Sequence, residues 1–303
     1  MKMCFYSKPA FRLASCLLGL ILSVPAASSA AWSKLSVDPR AAAAGGIAPV
    51  FPADAWTALE NPALLGPIQQ HVVSGVMALP SADSSAGRYT WGASYVEPDS
   101  GFGAGELTFL TGRRLLTFDS ASKSYLYENR TTWLYGIGKQ LNPNFSLGGN
   151  LRLESVRHQE TSGTEAATLY RFDVGAAVSS GKLRLSGALL DLVGSTKQWQ
   201  DGATDAPIPT VRLSAGVAVR PDLNIGGAYE VAGSQTGWAL GANWQRNALA
   251  LRAGFSQEPG ETSAHLGAGV GWSMPATGGS MAVDASYVDR DAGTGRIGIT
   301  WMF

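Results

Sequence analysis

The stretch FSLGGNLRLESVRH, Phe145–His158, decides how the rest of the chain is read. Leu147, Gly149, Leu151 and Leu153 fall on one face of an extended strand. Asn150, Arg152 and Glu154 fall on the other, because successive side chains of a strand point to opposite sides. The same contrast recurs downstream. Tyr170, Phe172, Val174 and Val178 oppose Arg171 and Asp173; Val211, Leu213, Val217 and Val219 oppose Arg212, Ser214 and Arg220. Trp238, Leu240 and Trp244 oppose Gly241, Asn243 and Gln245. Each stretch therefore predicts a strand with one apolar face and one polar or small face.

Fourteen such strands are expected along the chain: 69–79, 87–97, 103–112, 129–140, 145–158, 166–179, 182–193, 209–220, 222–232, 236–246, 248–257, 262–273, 279–290 and 294–303. Most are about 9–12 residues long, the length a tilted strand needs to cross a bilayer. A soluble sandwich shows the same alternation, but three features favour a membrane. Aromatics cluster near strand ends (Tyr89, Tyr95, Trp133, Tyr135, Trp244, Trp272, Tyr287, Trp301), as an interfacial girdle requires. Long polar connections, Arg113–Leu126, Gln159–Glu165 and Gly194–Ile208, alternate with tight ones at Leu141–Asn144, Ser180–Gly181, Pro221 and Asn247, until the last third, where all are short. The final strand carries Ile297, Ile299, Trp301 and Phe303 as one apolar stripe and ends on an aromatic. Trp301 and Phe303 resemble the terminal signal read by the barrel-assembly machinery. The expected fold is all-β: a 14-stranded antiparallel transmembrane β-barrel with a short N-terminal helical or irregular plug.

Composition agrees. There are 37 glycines in 303 residues, against a usual ~7%, and 23 basic residues balance 23 acidic ones. That balance argues against nucleic acid as a partner. Lys2, Lys8 and Arg12 precede the apolar run Leu13–Val24 and the small residues Ala26–Ala31, so residues 1–30 read as a signal peptide. Cys4 and Cys16 both fall within it. A lipoprotein box at Leu13-Ala14-Ser15-Cys16 is set aside, because the apolar run lies mostly after Cys16. No later segment approaches the ~18 apolar residues of a membrane helix. The expected layout is signal peptide 1–30, plug segment 31–68 and barrel 69–303.

With apolar stripes toward lipid, the opposite positions line the lumen. They include Glu106, Arg152, Glu154, Arg171, Asp173, Arg184, Arg212, Glu230, Arg252, Asp284 and Arg296. Acids and bases are mixed, so a paired network is expected rather than a ring of one sign. The inward glycines Gly136, Gly138, Gly226, Gly241, Gly267, Gly269 and Gly271 leave space for a bulky object inside. His71, His158 and His265 lack ligand spacing, and no nucleophile elbow, complete phosphate loop or paired cysteines occur. His265 with Asp284 on the neighbouring strand is the one acid–histidine pairing that could be imagined. No enzyme, metal or cofactor is expected.

The remaining stretch, Asp38–Leu65, is not strand-like. It reads DPRAAAAGGIAPVFPADAWTALENPALL. Asp54–Leu59 can form a short helix; Pro62 stops it and pushes Asn61 toward an extended conformation. Arg40-Ala41-Ala42-Ala43-Ala44-Gly45-Gly46, Ala53-Asp54-Ala55-Trp56-Thr57-Ala58 and Asn61-Pro62-Ala63 together resemble the start of the FadL-like, PorV/PorQ and TraF-like outer-membrane barrels. The resemblance implies a luminal plug with Asp38, Arg40, Gly45, Gly46, Asp54, Asn61, Pro62 and Ala63 as its gating residues. It implies the outer membrane of a Gram-negative bacterium, outer-membrane lipid as surroundings, and passage or binding of a small hydrophobic ligand. The alternative it implies is a PorV-like accessory that binds a secreted or periplasmic protein without transport. Leu64-Leu65 stands where many relatives have Gly-Leu, and the chain is shorter than typical transporters, mostly in its outer loops.

Overall fold

The computed structural model describes residues 37–47, 54–80, 89–119, 124–160, 163–199, 204–289 and 293–303. The expected signal peptide, residues 31–36 and residues 48–53 of the plug segment lie outside them.

The alternating stretches form sixteen strands: β1 Val72–Pro80, β2 Tyr89–Glu97, β3 Ala104–Asp119, β4 Ser124–Asn142, β5 Phe145–Glu160, β6 Gly163–Ser180, β7 Leu183–Gly194, β8 Lys197–Gln198, β9 Thr204–Asp205, β10 Thr210–Arg220, β11 Leu223–Ala232, β12 Gln235–Arg246, β13 Leu249–Gln257, β14 His265–Ala276, β15 Gly279–Val288 and β16 Thr294–Met302. Fourteen of them close into one antiparallel barrel, each bonded to its chain neighbour, with β7 joined to β10 and β16 to β1. β8 and β9 form a separate two-stranded sheet. The fourteen expected strands are all present.

Their outward positions carry the apolar side chains. Trp133, Tyr135, Leu151, Leu153, Leu240, Phe255, Trp272, Tyr287 and Ile297 are all exposed. An apolar belt this extensive does not face water; it is the lipid-facing surface of a membrane-spanning barrel.

The expected loop lengths need correction. β3 to β6 are 16, 19, 16 and 18 residues long, whereas the other barrel strands have 9 to 12. Most of Arg113–Leu126 and Gln159–Glu165 is paired strand, with ladders running to Asp119↔Ser124 and Glu160↔Gly163. Hydrophobic alternation marks a strand only where one face meets lipid. Beyond the apolar band the outward positions turn to Thr111, Thr131, Ser155, Arg113 and Arg157, the run Leu115-Leu116-Thr117-Phe118 breaks the two-residue period, and the hydrogen-bonded ladder continues. The wall is therefore taller on the β3–β6 side.

The barrel closes where the chain ends. The Phe303 N–H donates to the His71 carbonyl at 3.0 Å, and the His71 N–H donates to the Phe303 carbonyl at 3.1 Å. The Phe303 ring stacks on His71 at 5.4 Å and lies 4.4 Å from Trp301. Removing Phe303 loses this last rung and the terminal aromatic together. The expected result is a clear fall in the folded, heat-modifiable fraction, measured by gel migration of unheated membranes. Unchanged assembly would detach Phe303 from that role.

Candidate functional site

The lumen is occupied by the N-terminal segment, and the wall is shaped to receive it. Asp38 begins a short helix, Pro39–Ala43; its side chain accepts the Arg40 N–H at 3.0 Å, and Pro39 fills the first helical position. The Gly46 N–H returns to the Ala41 carbonyl at 2.6 Å and the Gly45 N–H to the Ala42 carbonyl at 3.2 Å. This is a Schellman end. It needs left-handed backbone, and Gly45 and Gly46 supply φ of +73° and +81°.

The helix end rests on a row of wall glycines. Gly216, Gly226, Gly241, Gly254 and Gly267 are direct cross-strand partners from β10 to β14. A Cβ on Gly241 or Gly254 would run into the Ala44 backbone, and one on Gly267 into the carbonyls of Ala42 and Ala43. Arg40 pairs with Asp54 within the segment and lies 3.5 Å from Asp38 and 3.9 Å from Asp284. Arg252 holds the same Asp284 at 2.6 Å. The imagined His265–Asp284 pairing is not formed; His265 lies 3.3 Å from Glu261 and 3.5 Å from Asp289.

The middle of the segment is held by side chains. Asp54 accepts the Trp56 N–H at 2.9 Å, and the Trp56 indole donates to Ser74 of β1 at 2.8 Å. A short 3-10 turn follows at Thr57–Leu59. Both backbone groups of Ala58 are gripped from the wall: its N–H donates to Glu106 at 3.2 Å, and its carbonyl accepts from Asn150. Buried Glu106 also accepts from Ser94 at 3.2 Å and Thr108 at 2.6 Å.

Asn61 fixes the third part. It is extended, with φ −162° and ψ 110°, and its Oδ1 accepts the Ala63 N–H at 2.9 Å to start the 3-10 turn Pro62–Leu65. Its Nδ2 donates to the wall carbonyls of Ala176 at 3.2 Å and Gly187 at 3.1 Å. A second glycine row lies beneath: Gly138, Gly148 and Gly175 are partners across β4, β5 and β6. A Cβ on any of them would strike Pro62, Ala63, Leu65, Gly66 or the Asn61 side chain. Ala55, Ala58, Leu65 and Ile68 complete the contact by packing on Val72, Val96, Ala104 and Leu134. Asn61→Ala removes both bonds to the wall, at about 0.5–1.5 kcal/mol each. Altered gating with an intact fold is expected in planar-bilayer recordings. Unchanged gating would count against Asn61 as an anchor.

Toward the tall side of the barrel the lumen is ionic. Arg130 lies 3.1 Å from Glu128, 2.7 Å from Glu154 and 2.7 Å from Asp205. Arg152 lies 3.2 Å from Asp173 and 3.6 Å from Glu154, and also pairs with Asp191. Arg171 lies 3.7 Å from Glu154 and pairs with Asp205. Arg212 donates to the Gly46 carbonyl, lies 3.7 Å from Glu60 and is the register partner of Glu230. Arg296 is buried on β16. Of the residues expected to face inward, Glu106, Arg152, Glu154, Arg171, Asp173, Asp284 and Arg296 are buried, Glu230 is half-buried and Arg184 is exposed.

Several members were missed by sequence reasoning. Glu128 lies between the stretch read as loop, Arg113–Leu126, and the expected strand 129–140, and Arg130 lies at the start of that strand. Asp191 has φ +52° in a β7 bulge, where the register passes from Phe172↔Val193 to Val174↔Leu189. Asp205 belongs to the β8–β9 hairpin, which folds back into the lumen. There Trp199 is buried and stacks on His158 at 3.8 Å, beside Val156 and Leu169. One signal was there to find: Trp199 is a large aromatic within a polar connection.

Fold and filled lumen together define a plugged fourteen-stranded barrel. Among solved structures it is similar to the CymD monoaromatic hydrocarbon channel, with a TM-score of 0.66 and 12% identity over 90% of this chain and 98% of that one. A Pseudomonas aeruginosa FadL homologue gives 0.62 and 13%, covering 88% and 98%. The Pseudomonas putida toluene transporter TodX gives 0.56 and 11%, covering 87% and 96%. The FadL-like resemblance therefore holds for the fold. No protein-family model matches the chain, and no curated protein matches it in sequence.

Proposed function

We propose that this is an outer-membrane barrel that admits small hydrophobic molecules, with the segment from Asp38 to Ile68 as its gate. One observation carries the reading: the lumen is filled by a segment laid on two glycine rows and held by side-chain bonds and packing that are not part of the strand ladder, so it can leave without breaking the wall. The likeness to hydrocarbon and toluene channels supports the same reading. The ladder is closed all round in this state, so lateral delivery into the membrane would require strands to part.

A second reading is favoured by the ionic side of the lumen, where three arginines (Arg130, Arg152, Arg171) meet five carboxylates (Glu128, Glu154, Asp173, Asp191, Asp205). That surface offers little to an apolar solute and suits a non-transporting accessory that binds an envelope or exported protein. Uptake of hydrophobic compounds by a deletion strain, with and without the restored gene, separates the two. Equal uptake together with co-purification of a periplasmic or secreted protein would overturn transport.

A further inference from the structure

The outward face of the tall wall is ordered in three tiers. Register places Phe109, Trp133, Leu153 and Tyr170 side by side across β3 to β6. Two residues further from the apolar belt, Thr111, Thr131, Ser155 and Thr168 form a row of hydroxyls, with Thr111 and Thr131 3.1 Å apart. Two residues beyond that, Arg113, Asn129 and Arg157 are direct partners on three adjacent strands. Each step is about 7 Å along a strand, and the two arginines are about 10 Å apart across two strand spacings.

The tiers match the layers of a membrane surface. Aromatics settle at the interface, where an apolar body and a polar edge are both served. Hydroxyls above them meet ester, amide or sugar oxygens. Arginines one tier higher reach phosphate, whose geometry their guanidinium forks fit. No carboxylate occupies an outward position on β3–β6 among the described residues. The Arg113 guanidinium lies 3.8 Å above the Tyr127 ring, and its Nε has no hydrogen-bond partner among the described residues. Arg157 is exposed.

We propose that Arg113, Asn129 and Arg157, with the hydroxyl row below, bind the phosphorylated sugar headgroup of a membrane glycolipid whose acyl chains lie on the aromatic tier. This rests on the membrane reading and is independent of what crosses the lumen.

The test uses the full barrel, delipidated in non-denaturing detergent and titrated with bis-phosphorylated lipid A by native mass spectrometry. The parent is expected to retain one lipid. The double variant Arg113→Gln/Arg157→Gln should bind at least about tenfold more weakly, the loss of a charge-assisted bond. Dephosphorylated lipid A should bind the parent as weakly as the intact lipid binds the variant. Lys139→Gln, at the opposite rim, should bind like the parent. Equal affinity of parent and double variant, or indifference to the phosphates, would overturn the site. Competition by inorganic phosphate at matching concentration would overturn the lipid as its occupant. Heat-modifiable migration is read on the same samples; its absence would overturn the membrane reading, and the site with it.

Discussion

Gly148→Val is expected to unseat the plug and raise conductance through the barrel. The new Cβ would land on the Pro62–Ala63 peptide, which is backbone and cannot swing aside. Overpacking of this kind costs about 1–3 kcal/mol, enough to enlarge the undocked population about 5- to 150-fold. Gly138 and Gly175 flank Gly148 in the same row and also touch the segment, so a local shift gains no space. Gly149→Val is the control: it faces outward, and its Cβ would sit in ordinary contact with the Phe172 ring at 3.7 Å. Planar-bilayer recordings should show larger openings for Gly148→Val alone, and limited proteolysis should reach the segment between Asp38 and Gly66. Indistinguishable conductance from the two variants would mean that the glycine row does not govern docking.

The second large effect concerns the ionic lumen. Arg152 is buried and serves Asp173, Asp191 and Glu154. Arg152→Met leaves these carboxylates facing one another with less compensation. Breaking a buried pair from one side costs about 3–5 kcal/mol, so the temperature at which the barrel loses its compact gel migration should fall clearly. Arg152→Met combined with Asp191→Asn should recover part of the loss, because one uncompensated charge is removed as well. A single variant as heat-resistant as the parent would show that water or rearrangement replaces the arginine at no cost. Asp173 makes the outcome sharper: its Oδ1 also accepts the Asp191 N–H at 2.7 Å, so network and bulge are coupled.

Much of this barrel could be read residue by residue. Strand membership followed from the contrast between Leu147, Leu151 and Leu153 and their neighbours Asn150, Arg152 and Glu154. The extended Asn61 followed from Pro62, whereas the helix Pro39–Ala43 was not expected and the short helix expected at Asp54–Leu59 is only the 3-10 turn Thr57–Leu59. The strands and the extended Asn61 are local consequences of side-chain alternation and of allowed backbone angles. The tall wall was not legible, because Arg113-Arg114-Leu115-Leu116-Thr117-Phe118 shows no two-residue period. The β8–β9 hairpin was not legible either, because Trp199 and Asp205 find His158, Arg130 and Arg171 only after the chain has folded back.

Strand count, the closing aromatic Phe303 and the separate nature of Asp38–Leu65 are all written in local side-chain pattern. That Gly138, Gly148 and Gly175 meet in one row and Gly241, Gly254 and Gly267 in another is a property of the folded barrel. Alternation says which face a glycine is on but not how far along the barrel it lies. That height is set by hydrogen-bond register between strands, and register turned scattered glycines into two seats for one plug.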